Sequence, residues 1–488
     1  MALNLDEVEV RVREERLNSV SYYNGRIEDI RQELGGCGLS PGRRCLSQNS
    51  GCMSGCAQGY LSAIDNVAVI THAPVGCSAD FMGSNNARKW GEFAQGRSHT
   101  DVALYSTNMT ERDTVFGAAQ KLEKTVREVY RAKKPSAIFI ANACVSAVIG
   151  EDIATLASEL AEELGIPVVP VACEGFKTKI WASGFDAAFH ALLTGICREP
   201  KEKTNHVNVI NFRGSAAPEL TELFEYLGMR PRLVAGFQSI EELSRMSGAA
   251  ATVSICGTLG SYLGNGLEQR YGVPYVKALQ PHGIAGFEDW LRRLGEAIHR
   301  EERAEEYIRV HRERYLPRIA EVRERLSGKR AVVGMGPSFA FNFTRVLEEL
   351  GMRVENIFAW HLDIRYDHDS SPESIRYLCA NRPGTRVNVN DLQYNEVVQA
   401  LSRIRPDLYF YRHPSNAGIV MKLGIPAISL IDEYMAFGYQ GLIRFGETIL
   451  DVLENQNFER KLAAKTRLPY SDWWLAQGDP HLLHKRTG

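Results

Sequence analysis

The stretch AAQKLEKTVREVYRAKKPSAIFIANACVSAVIGEDIATLASELAEELGIPVVPVAC (118–173) decides the fold class. Residues 118–134 have the apolar spacing of an amphipathic helix, and 136–144 is an apolar run with the length of a buried strand. A second amphipathic helix over 152–165 ends at Gly165, and Pro167 opens the next apolar run. That order is expected where a helix stops and a strand begins. The stretch therefore predicts two parallel strands connected through a helix.

The same alternation recurs along the chain. Apolar runs separated by helix-length intervals are VAVIT (67–71), SAIFIANAC (136–144), PVVPVAC (167–173), HVNVINF (206–212), ATVSIC (251–256), RAVVGMG (330–336), DLYFYRH (407–413) and PAISLI (426–431). The fold class is therefore predicted to be α/β with parallel sheets. We expect an N-terminal arm at 1–49 and three α/β units at 50–203, 204–328 and 329–488, with charged linker helices at 288–328.

Composition excludes several classes of protein. The 488-residue chain carries 57 Lys and Arg against 59 Asp and Glu, a balance that argues against nucleic-acid binding and polybasic membrane attachment. No uncharged apolar run approaches the roughly 20 residues of a membrane span, so we expect a soluble cytoplasmic protein. Its ten cysteines are then not a disulfide framework, because cytosolic thiols stay reduced. Without a CxxC pair, they do not form a zinc ribbon or a thioredoxin-type site either.

Several cysteines come directly after predicted strands, in HAPVGC (72–77), IANAC (140–144), VPVAC (169–173) and TVSIC (252–256). The carboxyl ends of parallel strands form the edge at which α/β proteins bind ligands. Thiolates from separate strands could hold a metal–sulfur cluster at such an edge. The alternative is that each cysteine is a small buried apolar residue. For the Gly-Cys pairs ending in Cys52 and Cys77, and for Cys144 after them, metal ligation is favoured.

An ordered set of motifs resembles the α subunit of the nitrogenase component 1 family. The set is SGC (50–52), HAPVGC (72–77), NACVSAVIGEDI (142–153), VPVACEGF (169–176), Cys256, LEQRYGVP (267–274), VGMGP (333–337) and KLGIP (422–426). The resemblance covers nearly the whole chain from residue 50 onward. It implies three Rossmann-like, doubly wound parallel-sheet domains with metal clusters at their interface.

The resemblance also implies metal ligands. Cys52, Cys77 and Cys144 match the thiolates that share an 8Fe–7S P-cluster with a β subunit, and Cys56 contends with Cys52 for the first of these roles. Cys256 matches the single thiolate that anchors a large carbide-centred, eight-iron cofactor. We leave open whether that cofactor contains Mo, V or only Fe.

Departures from the family pattern argue against dinitrogen reduction. The position of the cofactor-binding His is Ile431, and Trp181 and Phe185 replace a Gln and a His that face the substrate. Loss of these polar groups removes proton donors, and an aromatic pocket suits an organic substrate. By elimination, the chain is most similar to the methylthio-alkane reductase type, which cleaves C–S bonds of small thioethers.

The far end of the cofactor then needs another ligand. His413, at the end of the DLYFY run, is one candidate, and His361 is the runner-up. The alternative for both is a strand-end histidine bonded to the backbone.

Partners also follow from the resemblance. It implies an α2β2 tetramer with a homologous β-type subunit and a separate homodimeric 4Fe–4S ATPase as electron donor. The chain has no GxxxxGK(S/T) phosphate-binding loop, so ATP is expected only on that partner. Two other functions stay open: a cofactor-assembly scaffold, and a tetrapyrrole reductase subunit, against which the presence of Cys256 argues.

Overall fold

The computed structural model describes residues 3–12, 23–33, 52–79, 88–89, 91–93, 96–100, 102–178, 180–211, 217–234, 236–362, 373–389, 394–412, 417–430, 432 and 435–476. The chain divides into two compact units. The first comprises residues 1–16, 51–276 and 296–300, and the second comprises 17–50, 277–295 and 301–488.

Strands and helices alternate along most of the chain. The strands are β1 (Tyr23–Arg26), β2 (Val67–His72), β3 (Leu104–Ser106), β4 (Ala137–Asn142), β5 (Val168–Ala172), β6 (His206–Ile210), β7 (Arg230–Leu233), β8 (Ala251–Ser254), β9 (Arg330–Met335), β10 (Arg353–Ala359), β11 (Arg386–Val389), β12 (Leu408–Tyr411) and β13 (Ala427–Ser429). The helices are α1 (Ile27–Glu33), α2 (Met53–Leu61), α3 (Gly76–Ala79), α4 (Glu111–Phe116), α5 (Ala119–Lys133), α6 (Cys144–Val148), α7 (Ile153–Leu164), α8 (Ser183–Gly195), α9 (Ala217–Tyr226), α10 (Ile240–Ser244), α11 (Gly257–Tyr271), α12 (Gly283–Ile298), α13 (Glu301–Leu326), α14 (Pro337–Glu349), α15 (Glu373–Asn381), α16 (Tyr394–Ile404), α17 (Ala417–Lys422), α18 (Gly438–Glu454), α19 (Asn457–Lys465) and α20 (Asp472–Ala476).

The first unit contains two parallel sheets, with strand orders β3-β2-β4-β5 and β7-β6-β8. Successive residues of a strand point to opposite faces. Val69 and Phe139 therefore join a core with residues of α2 and α8, whereas Ile70 and Ile138 join a core with residues of α5 and α7. Helices thus cover both faces of the first sheet, which is the doubly wound arrangement.

The second unit is built on one six-stranded sheet with the order β1-β11-β10-β9-β12-β13. Strand β1 runs antiparallel to β11 at one edge, and the other pairs are parallel. Val332, Phe358 and Tyr409 form a core with residues of α16 and α17. Among the described residues, no helix is both long and apolar enough to cross a membrane.

Each of the eight predicted apolar runs contains a strand, and the predicted helices 118–134 and 152–165 appear as α5 and α7. Sheets lie in each of the three ranges proposed as α/β units. The predicted arm 1–49 also contributes β1, which extends the sheet of the second unit. The charged segment 288–328 contains most of α12 and all of α13. Although the segment is rich in charged residues, these helices also have a buried apolar face, which includes Trp290 and Val322.

The crossing of α2 and α8 leaves no room for a side chain at Gly184. A Cβ on Gly184 would overlap the Met53 carbonyl oxygen and would lie 2.8 Å from the Cβ of Cys56. Close contact between these helices therefore requires glycine at this position.

We expect Gly184→Ala to lower the free energy of unfolding by about 1–3 kcal/mol, the usual cost of overpacking. Gly418→Ala is the matched control, because Gly418 lies in α17 and a Cβ there would meet nothing within 4 Å. The control should be neutral or stabilise the protein by up to about 1 kcal/mol, since alanine is the better helix former. Urea denaturation followed by circular dichroism measures both changes, and equal effects would contradict the packing argument.

Candidate functional site

Three neighbouring strands of the first sheet end at one level. His72 of β2 lies opposite Asn142 of β4, and Asn142 lies opposite Ala172 of β5. Because the strands are parallel, the loops that follow them emerge at the same edge. Those loops carry Cys77, within α3, and Cys144, the first residue of α6.

Cys52 reaches the same edge from another part of the chain. It has an extended backbone and directly precedes α2. A Cβ on Gly175 would overlap the Cys52 sulfur and would lie 3.8 Å from the Cys144 sulfur. The two thiols therefore flank one small space, which any side chain at position 175 would fill.

Cys77 and Cys56 occupy different surroundings. Cys77 lies in α3, which contacts α2, the helix that Cys52 precedes, and its amide donates to the Pro74 carbonyl at 3.0 Å. Cys56 lies one helical turn after Cys52 and faces Gly184 of α8. In the structure, Cys52 rather than Cys56 is thus the residue whose sulfur shares the Gly175 space with Cys144.

Cys173 lies beneath the site and behaves as a buried thiol. Its sulfur is 3.4 Å from the Asn142 carbonyl oxygen and 3.6 Å from the Ser54 hydroxyl. Burial raises the pKa of the Cys173 thiol well above its usual value. At neutral pH it therefore remains protonated, in contrast to a metal-binding thiolate.

A polar network holds the strand ends in place. The Ser146 hydroxyl lies within hydrogen-bond distance of the His72 carbonyl (3.0 Å) and the Asn142 side chain (2.5 Å). His72 is fully buried, with Nε2 2.5 Å from Glu151 and Nδ1 3.1 Å from the Thr107 hydroxyl. Burial lowers the pKa of His72, although Glu151 opposes the shift. The neutral ring then donates from Nε2, and the network links the loops that bear Cys77 and Cys144.

Exposed apolar side chains are close in sequence to the three cysteines. Val75 precedes Cys77 and is 61% exposed, Val148 ends the helix that Cys144 begins and is 72% exposed, and Phe176 follows Gly175 and is 57% exposed. Cys52, Cys77 and Cys144 are themselves only partly buried. Apolar groups around a partly open polar site are typical of a protein interface.

Cys256 is buried, in contrast to the three cysteines at the sheet edge. It lies just beyond β8, immediately before α11, and is 4% exposed. This position matches the sequence expectation of a single thiol at a strand end. Its carbonyl oxygen accepts hydrogen bonds from the Ser254 hydroxyl and from the Gly260 amide.

The predicted pocket residues are less open than expected. Phe185 is buried in the core and packs edge-on against Tyr60, with ring centroids 5.3 Å apart. Trp181 is half-buried, with its ring 6.0 Å from that of Phe185. His361, in the second unit, is buried just after β10. His413 and Ile431 lie outside the described residues.

The donor set at the sheet edge fits an iron–sulfur group. Thiolates are the preferred ligands of such clusters, and Gly175 leaves a space beside two of them. Within the part of the chain that the structure describes, no three His, Cys, Asp or Glu side chains are placed to hold a single metal ion.

Sequence reasoning missed the roles of Gly175, Ser146 and Glu151. The importance of Gly175 depends on the sulfurs of Cys52 and Cys144, which come from distant segments and are not indicated by the local sequence. Nothing in the local sequence indicates that Ser146 and Glu151 contact His72.

Comparison with known proteins decides the family. A sequence model described as "Nitrogenase component 1 type Oxidoreductase" matches residues 52–454. The chain belongs to this nitrogenase component 1 family. The match begins at Cys52 and covers most of both units.

Individual relatives in this family include two kinds of protein. The nitrogenase molybdenum-iron protein alpha chain of Methanothermobacter thermautotrophicus is 27% identical over 460 residues, which cover 91% of this chain and 95% of that protein. The nitrogenase iron-molybdenum cofactor biosynthesis protein NifE of Methanococcus maripaludis is 26% identical over 415 residues, which cover 83% of each. A solved structure of nitrogenase Cp1 at pH 6.5 has the same fold, with a TM-score of 0.71 and 21% identity over 88% of this chain and 92% of that one.

After iron is removed with a chelator, Cys52 and Cys144 should react with iodoacetamide at pH 8 at least about ten times faster than Cys173, because reactivity follows exposure and thiolate content. A raised pKa means less thiolate at a given pH, so Cys173 should stay slow until pH rises further. Cys197, whose pKa burial also raises, should behave like Cys173. Peptide mass spectrometry measures each rate, with the urea-unfolded chain as the control. Equal rates in the folded protein would contradict the assignment.

Proposed function

We propose that this chain is the α-type catalytic subunit of a nitrogenase-like, ATP-dependent reductase. The observation that carries the proposal is the pair of partly exposed thiols, Cys52 and Cys144, on either side of the Gly175 space. In a member of the nitrogenase component 1 family, this arrangement supports an iron–sulfur cluster at the surface of the subunit.

Cys52, Cys77 and Cys144 would hold an 8Fe–7S P-cluster-type group together with thiolates of a β-type subunit. Three cysteines from one chain leave part of such a cluster without protein ligands, so a second chain has to supply the rest. The exposed Val75, Val148 and Phe176 support burial of this edge against that partner. An α2β2 tetramer is the assembly that we propose.

Cys256 would anchor a large eight-iron cofactor. When bound, this cofactor would supply low-potential electrons to the substrate. The buried, solvent-excluded surroundings of Cys256 suit such a group, because burial tunes the potential of an iron–sulfur site.

The electron donor would be a homodimeric 4Fe–4S ATPase. This chain has no phosphate-binding loop, so ATP would bind only to that partner.

The substrate would be a small organic thioether. Cleavage of the C–S bond consumes two electrons and two protons, so that R–S–CH3 yields R–H and CH3SH. Trp181 contributes a half-buried aromatic surface, and the buried Phe185 packs against it. Such apolar side chains favour binding of an organic molecule.

A cofactor-assembly scaffold is the second candidate. It is favoured by one observation, the match to the cofactor biosynthesis protein NifE at an identity similar to that of the alpha chain. A scaffold would hold the same cofactor but would not turn over a substrate.

Turnover separates the two candidates. The purified complex with its ATPase, dithionite and ATP should convert dimethyl sulfide to methane and methanethiol, as gas chromatography would show, and omission of ATP should abolish the products. About sixteen iron atoms per αβ pair would support two eight-iron clusters, whereas about four would support a tetrapyrrole reductase. Full iron content and ATP consumption without product would reject the reductase in favour of the scaffold. Cys256→Ala should remove both product and the cofactor iron.

Phe176→Glu should weaken binding of the β-type subunit by about tenfold or more, because a charge would enter the centre of an apolar interface. Phe458→Glu is the matched control, since Phe458 is 62% exposed and lies on α19 in the second unit. Size-exclusion chromatography of the co-expressed subunits over a range of concentrations measures the change. If both variants retain the wild-type assembly, the edge at Phe176 is not the subunit interface.

A further inference from the structure

Asn211, the residue that follows β6, combines three unusual features. Its backbone is left-handed, with a φ of 65°, its side chain is only 7% exposed, and its Oδ1 has no hydrogen-bond partner among the described residues. Asparagine tolerates this backbone region better than most residues. A buried amide with one unsatisfied end nevertheless destabilises the fold. Such costs are concentrated at functional sites.

The pairing of β6 with β8 brings Asn211 to Cys256, because Ile210 lies opposite Ser254. The Asn211 amide donates from Nδ2 to the Cys256 carbonyl oxygen at 3.4 Å. The Ser254 hydroxyl donates to the same oxygen at 2.7 Å, and the Gly260 amide donates to it at 2.9 Å. Donors from the end of β6, from β8 and from the first turn of α11 thus converge on one carbonyl.

This convergence requires glycine at position 260. A Cβ on Gly260 would overlap the Ser254 hydroxyl and would lie 3.4 Å from a methyl group of Ile210. Without a side chain, the first turn of α11 can close onto Ser254. The peptide group that follows Cys256 is therefore held by Gly260 within the helix, and by Ser254 and Asn211 outside it.

We propose that Asn211, together with Ser254 and Gly260, is a positioning residue that orients the Cys256 thiol to bind an iron–sulfur cofactor. The proposal rests on the proposed function, in which Cys256 is the cofactor ligand. Cys256 immediately precedes the first turn of α11, where peptide N–H groups favour a thiolate. The hydrogen bonds to its carbonyl hold this geometry. The buried Asn211 Oδ1 would remain free to accept a hydrogen bond when the cofactor is bound.

Two variants test this role in the purified complex. Asn211→Gly keeps the left-handed backbone without strain and removes the amide, whereas Asn211→Asp keeps the size but loses the N–H donor. Groups that orient metal ligands change metal affinity by about 10–100-fold. When iron is limiting, both variants should therefore retain about tenfold less than the wild type of the iron that Cys256→Ala removes. The electron paramagnetic resonance signal that depends on Cys256 should weaken or shift in parallel. The melting temperature of Asn211→Gly should not fall, because glycine relieves the backbone strain.

Asn66→Gly is the matched control, because Asn66 is also left-handed, with a φ of 51°, but is exposed away from any proposed ligand. It should leave iron and spectrum unchanged. If Cys256→Ala itself retains all iron and the full signal, the proposed role of Cys256 fails. If Cys256→Ala loses them while both Asn211 variants resemble the wild type, only the role of Asn211 is overturned. An equal loss in Asn66→Gly would also overturn it, since the effect would not be specific to the site.

Discussion

The parallel register of β2, β4 and β5 is the constraint on which the sheet-edge site depends. His72, Asn142 and Ala172 lie side by side, so the loops that carry Cys77, Cys144 and Gly175 leave the sheet at the same level. A slip of one residue would turn each side chain to the other face. The two faces pack against different helices, so a slip would misplace the side chains of both cores. The Ser146 hydroxyl adds a direct tie between the ends of β2 and β4.

The parts of the fold that could be predicted from the sequence are the apolar, fully buried strands. VAVIT and AIFIA are continuous apolar runs because helices cover both faces of the sheet. Strand β10 was missed because Glu355 and Asn356 interrupt its apolar pattern, although Asn356 is buried. Strand β3 was missed because it is three residues long and only half-buried at the sheet edge. Tertiary context, not local pattern, makes these segments strands.

The candidate site also has residues that the sequence predicts and residues that it does not. The cysteines could be named from the sequence, since a thiol after a buried strand is a recognisable pattern. Gly175 and Asn211 could not, because the importance of each depends on an atom from a distant segment. For Gly175 these atoms are the sulfurs of Cys52 and Cys144, and for Asn211 the atom is the carbonyl oxygen of Cys256. Neither the missing side chain of Gly175 nor the hydrogen bond donated by the Asn211 amide can be recognised from the local composition.

The difference in burial between the two sets of thiols bears on whether the protein retains or transfers a cofactor. Cys52, Cys77 and Cys144 are partly open, so a group bound there depends on a second chain for its remaining contacts. Cys256 is 4% exposed, and its carbonyl receives three hydrogen bonds from its own chain. A scaffold must release what it assembles, and a group bound to a thiol as buried as Cys256 would leave only if the surrounding protein moved. Enclosure and fixed geometry favour retention, because a preorganised ligand loses less entropy on binding. In the proposed function, a cofactor bound at Cys256 would therefore be retained by the subunit, whereas sequence identity to the two kinds of relative does not separate retention from transfer.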